Sequence, residues 1–426
     1  MKLEIIGTII FGIAVLHTFL TAPILRFSHR YPKDSVRRNI LHFLGEIEVV
    51  FGVWAAIFLA IYALIEGVKS SIEYLQGVHF VEPLFIFAVM TVCSTRPILH
   101  ACRVAIVAIS TILKKVLPIP EVLIELFVIL TVGPLAGSFI TEPAAMTVTA
   151  FLVLSMIHTK EKHVLYTLLG VLFVNISIGG SLTPYAAPPI LMVASKWSWD
   201  FSYVFANLGW KSAIAVVVNS AFFISVFRKG ITADFYTLEE IERKSEERRQ
   251  HIPIGITLLH LAFLVGIILS AHYEKLFLGL LLFFLGIYSA TRKFQDTLRL
   301  KESLLVAFFL GGIVIFGPFQ GWWLKPLLVG MSDNSLFLGA TGLTAFTDNA
   351  ALTFLGSQVE GLSSSSKLAL VGGALAGGGL TIIANAPNPA GVSILSQKFP
   401  QEHISPLLLL LHALIPTAIA ASLLWF

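Results

Sequence analysis

Two copies of one short acidic motif are the part of this chain best suited to chemistry. Residues 141–147 read TEPAAMT and residues 347–353 read TDNAALT, so each copy places a carboxyl group directly after a threonine. Both copies lie within long apolar stretches, where a carboxyl group is costly and by default marks an ion or proton pathway. A carboxylate attracts a hard cation and can instead hold a proton, so we predict a Na⁺ site at Glu142 and Asp348 where the two ions exclude each other.

A second pair of matching segments follows the first. Residues 179–183 read GGSLT and residues 377–381 read GGGLT, and each is followed by a proline-rich stretch. Glycine unwinds a helix easily and proline removes a backbone donor, so both segments predict broken helices with freed carbonyl groups. Such groups are tolerated at membrane depth only beside a cavity or ligand. An internal repeat with broken helices is typical of a secondary transporter.

Composition restricts the class of protein. The chain has 426 residues, of which 56% are hydrophobic and 13% charged, and its mean hydropathy is +0.85. Long, continuously apolar runs predict membrane-spanning helices rather than the alternating strands of a barrel. The net charge is a modest +4, and the basic residues lie between the predicted spans. Both observations argue against nucleic-acid binding. We find no nucleotide, metal or nucleophile motif and expect no cofactor, with Na⁺ and H⁺ only as transported ions.

These patterns predict an all-α polytopic membrane protein with about 11 transmembrane helices plus two re-entrant hairpins in two inverted repeats. The two acidic motifs lie in the predicted hairpins, 120–157 and 334–357. The candidate full spans are 4–25, 42–66, 79–95, 97–113, 163–196 (broken), 210–227, 252–271, 275–291, 303–319, 366–396 (broken) and 404–425.

The longest hydrophilic stretch predicts the domain boundary. The alternating acids and bases of 229–251 predict a short solvated helix or linker, and its many Lys and Arg residues predict the cytoplasmic side. The predicted segments are a retained first transmembrane helix at 1–26, repeat 1 at 42–228 with its hairpin and broken helix 163–196, and repeat 2 at 252–426 with its hairpin and broken helix 366–396.

One loop disagrees with this topology. Residues 26–41 contain five Lys and Arg residues, which favours the cytoplasmic side, whereas counting spans places the loop outside. Either the first span is miscounted, or 79–113 is not two helices.

Each chemical prediction has a structural alternative. Glu142 and Asp348 could be helix caps that accept hydrogen bonds from free backbone N–H groups. The broken helices could be kinks required only for packing. The duplication favours the ion-binding interpretation, since caps need not be copied together with their neighbours.

The first broken helix resembles a known signature. Asn175-Ile176, the stretch 179–184 (GGSLTP) and Pro188-Pro189 are similar to the N-I-G-G-x-x-T-P-I-G-D-P-P motif of the ion-transporter superfamily. That group includes Na⁺/H⁺ antiporters, arsenite and citrate permeases and sodium/dicarboxylate carriers, and the chain resembles its bacterial Na⁺/H⁺ antiporters. The resemblance implies two inverted repeats, each with a re-entrant hairpin and a discontinuous helix, often in a homodimer with elevator-type motion.

By position, the resemblance implies ion and proton ligands at the hairpin tips and in the discontinuous helices. They are Thr141, Glu142, Thr347, Asp348, Asn349, Thr183, Thr381, Asn385, Asn388 and Asn175. The chain departs from the signature at Ala186-Ala187, where the family often has Gly-Asp. The carboxylate carriers have Ser-Asn-Thr at their hairpin tips, whereas both tips here carry an acid, which favours cations over anions.

We therefore predict a secondary active transporter, not an enzyme, that exchanges Na⁺ for H⁺ by alternating access in the inner membrane. Its partners would be the lipid bilayer, small cations and a second copy of the chain. An alternative is a Na⁺-coupled symporter of a small anionic solute such as a dicarboxylate or oxyanion, which would require a compensating cation near the site. A remote alternative is a membrane-embedded enzyme.

Overall fold

The computed structural model describes residues 2–32, 35–244, 252–399 and 404–425. Within these ranges the regular elements are helices, and the sole β-type pairing is an isolated bridge between Ile157 and Phe235. The prediction of an all-α protein is confirmed at this level.

The helices begin and end where caps, glycines and prolines interrupt the apolar runs. In chain order they are α1 (Lys2–Ser28), α2 (Val36–Gly45), α3 (Ile47–Glu66), α4 (Val68–Gly77), α5 (Val81–Cys93), α6 (Arg96–Val116), α7 (Glu121–Ile140), α8 (Glu142–Met156), α9 (Lys162–Gly179), α10 (Pro188–Trp197), α11 (Phe201–Val204), α12 (Trp210–Asp234), α13 (Leu238–Lys244), α14 (Ile254–Leu269), α15 (Glu274–Ala290), α16 (Leu300–Phe316), α17 (Gly321–Val329), α18 (Asp333–Thr344), α19 (Asn349–Ser357), α20 (Ser364–Gly377), α21 (Asn388–Leu395) and α22 (Pro406–Leu424).

Among the described residues, eight helical segments are long and apolar enough to cross a bilayer. A ninth crossing would be formed by α4 and α5 together, which meet at an angle of 61°. This establishes a multi-pass membrane protein. The difference from about 11 spans has physical causes: α14 has 16 residues and α15 has 17, which is short for a full crossing. The predicted span 42–66 is divided at Glu46, where α2 ends and α3 begins.

The chain forms two compact units that are interleaved along the sequence. Unit 1 contains Met1–Phe87, Leu300–Met331 and Phe354–Ser363. Its centre is a close crossing of α3 and α16, where Gly52 lies against the ring of Phe308 and Gly312 lies against the backbone of Phe51. Small residues let helix backbones approach closely in membranes, so this crossing depends on the missing side chains.

Unit 2 contains Ala88–Arg299, Ser332–Thr353 and Ser364–Phe426. Helices α7 and α8 pack against each other as a hairpin, and α9 packs against α7, α12 and α22. Every residue of α9 from Val164 to Gly179 is buried, so this helix forms the core of the unit. The acidic motifs and both broken helices lie in unit 2.

The predicted span 210–227 ends at a break in α12. Helix α12 is interrupted at Phe227, whose φ −103° and ψ 15° are not helical, and its second part reaches Asp234 before the short helix α13. Residues 245–251 of the predicted linker lie outside the described residues. The start of α13 is held by a buried acid of α7, since Glu125 Oε2 accepts from the Leu238 N–H at 2.8 Å. Glu125 also pairs with Lys114 of α6.

The α3–α16 crossing yields a test of unit 1. A Cβ atom at Gly312 would lie 2.5 Å from the Gly52 nitrogen and 2.6 Å from the Phe51 carbonyl oxygen, so Gly312→Ala must push the helices apart. We expect a loss of about 1–3 kcal/mol in the free energy of unfolding, seen as a lower melting temperature of the purified protein in detergent. Gly311→Ala is the matched control, because its Cβ would meet the Phe80 ring at an ordinary 3.5 Å. Equal melting temperatures for the two variants would contradict this packing.

Candidate functional site

A strained residue separates the two helices of the first hairpin. Thr141 lies between α7 and α8 with φ 72° and ψ 152°, a conformation that is essentially restricted to glycine. A β-branched residue there costs about 1–3 kcal/mol, which the surrounding packing must offset. The turn places Glu142 at the first position of α8.

Glu142 is completely buried and only half satisfied. Its Oε2 accepts a hydrogen bond from Asn385 Nδ2 at 2.7 Å, whereas its Oε1 has no hydrogen-bond partner. The carboxyl group does not cap α8, so the capping alternative does not describe its contacts. In the part of the chain that the structure describes, no Lys or Arg contacts this carboxyl, and the nearby charge is that of Asp348. A buried charge without a basic partner is unstable, so this group requires either a proton or a bound cation.

The first broken helix makes room for that carboxyl group. A Cβ atom at Gly180 would lie 2.7 Å from Glu142 Oε1 and 2.8 Å from its Cγ. Gly180 follows the end of α9 in a right-handed conformation, with φ −75° and ψ −6°, so its backbone does not require glycine. The glycine is needed there because Glu142 occupies the space of a side chain.

The second broken helix carries two asparagine residues of the site, Asn385 and Asn388. Helix α20 ends at Gly377 and α21 begins at Asn388. Asn385 contacts Glu142 as described, and the preceding carbonyl of Ala384 accepts from the Asn349 N–H at 3.0 Å. Asn388 Nδ2 donates to the carbonyls of Gly378 and Thr381, both at 2.8 Å. The break therefore joins the first hairpin at Glu142 to the second acidic motif at Asn349.

The acid of the second motif caps a helix, whereas the acid of the first motif does not. Asp348 is half-buried, and its Oδ1 accepts from the N–H groups of Ala350 at 2.8 Å and Ala351 at 3.1 Å, so it caps α19. The next residue, Asn349, is fully buried and donates from Nδ2 to Ser177 Oγ at 3.4 Å. Gly378 parallels Gly180, since a Cβ there would clash with Ser177 Oγ and would lie 2.7 Å from Asn349 Nδ2.

Unpartnered oxygen atoms are the main chemical property of this region. Across the described residues, several buried side-chain oxygens lack any hydrogen-bond partner, and five of them belong to the acidic motifs and the second break. These five are Thr141 Oγ1, Glu142 Oε1, Asn349 Oδ1, Asn385 Oδ1 and Asn388 Oδ1. Carboxylate, amide and hydroxyl oxygens are ligands of hard cations. Buried oxygens without donors are unfavourable unless something else satisfies them, and a small cation is a ligand of that kind.

Two predicted threonine ligands serve as ties between elements. Thr183 Oγ1 donates to the carbonyl of Ser138 in α7 at 2.7 Å, and Thr381 Oγ1 donates to the carbonyl of Ala345, after α18, at 2.9 Å. Each bond joins a broken helix to the hairpin of its own half of the sequence. Thr347 Oγ1 contacts the carbonyl of Asp348 at 3.3 Å.

Asn175 belongs to a different hydrogen-bond network. Its Nδ2 donates to the carbonyl of Leu130 at 3.0 Å and to Ser220 Oγ at 3.1 Å, and its Oδ1 accepts from Asn219 Nδ2 at 3.0 Å. Both ends of the amide are thus occupied in joining α7, α9 and α12.

Sequence reasoning missed three contributors to the site. Ser177 accepts from Asn349 and donates to the carbonyl of Leu375 at 2.8 Å. Gly180 leaves the space that the Glu142 carboxyl group fills, whereas the sequence pattern predicted only that this glycine unwinds the helix. Arg299 Nη1 lies 3.4 Å from Thr147 Oγ1 in α8, where no sequence signal linked two residues so distant along the chain. The position of Ser177 between Asn175 and Gly179 in the broken-helix signature could have identified it.

The fold is that of a multi-pass membrane protein, and its helix breaks contain buried acidic and amide side chains with unpartnered oxygens. Residues 2–426 match the model of the family described as "Putative Na+/H+ antiporter", and the chain belongs to that family. Membership indicates a cation/proton antiporter that takes part in sodium transport. No curated protein matches the chain.

The packing of Gly180 on Glu142 generates a prediction. In Gly180→Ala the new methyl group would displace the carboxyl oxygen, so we expect the Na⁺ concentration for half-maximal proton exchange to rise about tenfold or more, as about 1.4 kcal/mol of lost binding would produce. The measurement is Na⁺-dependent proton exchange in proteoliposomes. Gly342→Ala in α18 is the control, because a Cβ there meets nothing within 4 Å. If the two variants behave alike, Gly180 does not shape the site.

Proposed function

We propose that this protein exchanges Na⁺ for H⁺ by alternating access and that the Glu142 carboxyl group binds the two ions in turn. The observation that carries the proposal is the complete burial of Glu142 with one free oxygen and no basic partner among the described residues. Family membership supports the same class of transport.

Exchange follows from the energetics of one buried carboxyl group. The charged form needs a cation beside it, and the neutral form needs a proton. Binding of Na⁺ therefore favours release of the proton, and protonation favours release of Na⁺. A transporter that changes access only when the group is neutralised by one ion or the other would couple the two fluxes.

We assign the Na⁺ ligands to the unpartnered oxygens. Glu142 Oε1, Asn385 Oδ1 and Thr141 Oγ1 come from the first hairpin and the break that contacts it, and Asn349 and Asn388 extend the set. Asp348 acts from a distance in this assignment, because its Oδ1 is already bound to α19 while its negative charge still favours a cation near Glu142. Thr183, Thr381 and Thr347 position the backbone around the ligands.

Helix ends reinforce this arrangement. Helices α8, α10, α19 and α21 begin beside the breaks, and α7, α9, α18 and α20 end there, so partial charges of both signs meet around the ions. We propose that α7–α8 and α18–α19 are re-entrant hairpins of two inverted repeats, 42–228 and 252–426. The duplicated motifs and the parallel roles of Gly180 with Gly378 and of Thr183 with Thr381 support the repeat.

The proposed setting is the inner membrane, with a second copy of the chain in a homodimer and no cofactor. All of the assigned ligands belong to unit 2, so one body could carry the whole site during a conformational change.

One contact favours the rival function, Na⁺-coupled uptake of a small anionic solute. Arg299 reaches Thr147 in α8, and an arginine near a transport site could compensate an anionic substrate. The buried oxygens argue against it, because they would repel an anion. The transport assay below separates the two functions.

Neutralising the two acids tests the proposal. In Glu142→Gln the site loses the group that holds the proton, so we expect cation-dependent proton efflux from proteoliposomes to fall to the level of empty vesicles. In Asp348→Asn the cap of α19 is preserved, since asparagine caps helices as well as aspartate does. We expect a higher Na⁺ requirement for this variant rather than complete loss.

The control is Asp200→Asn, an exposed cap whose Oδ1 accepts from the Tyr203 N–H at 2.8 Å outside the site. It should exchange ions at the wild-type rate. Wild-type exchange by Glu142→Gln would overturn the assignment, and Na⁺-dependent uptake of a labelled dicarboxylate without proton efflux would establish the rival function.

A further inference from the structure

Helix α2 connects two membrane-spanning helices without crossing the membrane itself. It follows the span Lys2–Thr21 in α1 and precedes the span Glu48–Glu66 in α3. Its ten residues extend about 15 Å, which is half of a hydrocarbon core. A short helix between two adjacent spans lies at the surface of the bilayer.

Partly buried contacts within unit 1 fix the orientation of α2. Trp54 Nε1 donates to His17 Nδ1 at 3.0 Å, so the proton of the neutral imidazole is on Nε2, which donates to the carbonyl of Leu44 at 3.0 Å. Next to Leu44, a Cβ atom at Gly45 would lie 2.7 Å from Leu25 Cγ. The end of α2 is therefore held tightly against α1, and its opposite face is left outward.

The outward face is an apolar stripe. Val36, Ile40 and Phe43 are exposed to 70%, 54% and 41%, and their spacing of four and three residues places them on one side of the helix. An amphipathic helix with such a stripe at the membrane boundary inserts it among the lipid acyl chains.

Basic residues are concentrated in α2 and in the segment that precedes it. Arg26, Arg30 and Arg37 are exposed, and Arg38 is half-buried, with Nη2 3.2 Å from His29 Nδ1. The sequence of 26–45 contains five Lys and Arg residues and one acid, Asp34. Lys33 and Asp34 lie outside the described residues.

Helix α4 provides an internal comparison at the other end of α3. It also has an exposed apolar stripe, formed by Val68, Ile72 and Leu75. The positive charge of its Lys69 is paired with an acid, however, because Lys69 Nζ lies 3.8 Å from Glu73 Oε1. The two ends of α3 thus share an apolar stripe and differ in charge.

We propose that the α2 surface, formed by Arg26, Arg30, Arg37, Arg38 and the stripe Val36, Ile40 and Phe43, binds the headgroups of anionic phospholipids. The arginine side chains would donate hydrogen bonds to the lipid phosphate while the stripe contacts the acyl chains. This surface belongs to unit 1 and contains none of the ion ligands, so the inference does not rest on the proposed function.

The test uses the full-length protein purified in detergent. We expect phosphatidylglycerol to raise the melting temperature more than phosphatidylcholine does, and native mass spectrometry to show bound phosphatidylglycerol. In the double variant Arg26→Gln/Arg37→Gln this difference should disappear, and the apparent dissociation constant for phosphatidylglycerol should rise about tenfold or more. Lys69→Gln on α4 should retain the wild-type preference.

Two further measurements keep the result interpretable. The melting temperature of the double variant in phosphatidylcholine alone reports whether it folds, and Arg26→Lys/Arg37→Lys, which keeps both charges, should restore the preference. An undiminished preference in Arg26→Gln/Arg37→Gln would overturn the proposal, as would an equal loss in Lys69→Gln. Equal stabilisation by inorganic phosphate would also overturn it, since the ligand would then not be a lipid.

Discussion

The structure of unit 2 depends on one buried carboxyl group that is only half satisfied. Glu142 has no exposure, a single hydrogen bond from Asn385 and a free Oε1. A membrane protein tolerates such a group only if something else neutralises it. Several other features of the unit become understandable as ways of holding this carboxyl group in place without satisfying it fully.

The strain at Thr141 and the absence of a side chain at Gly180 act together. The turn at Thr141 places Glu142 at the start of α8, and Gly180 leaves the space that the carboxyl group fills. Thr183 then fastens the break to α7, so the glycine cannot move away independently. Precision at the site comes from these backbone contacts, whereas the free oxygens remain available to a ligand.

The sequence predicts candidate residues more readily than the contacts that each one makes. The duplicated motif predicted Glu142, Asp348 and Asn349 as candidate site residues, because an acid in an apolar stretch is conspicuous. Their different roles were not predictable, because capping by Asp348 and the hydrogen bond of Glu142 to Asn385 depend on three-dimensional contacts. Likewise, the interleaved units follow from packing between distant segments, which no local pattern encodes.

The central claim is that Na⁺ and H⁺ compete for Glu142, and proton release on Na⁺ binding tests it most directly. Purified protein in weakly buffered detergent solution with a pH indicator would be titrated with NaCl, using choline chloride to control for ionic strength. The account predicts release of about one proton per bound Na⁺ from the wild type and none from Glu142→Gln. Na⁺ binding without proton release, or equal release from Glu142→Gln, would contradict it.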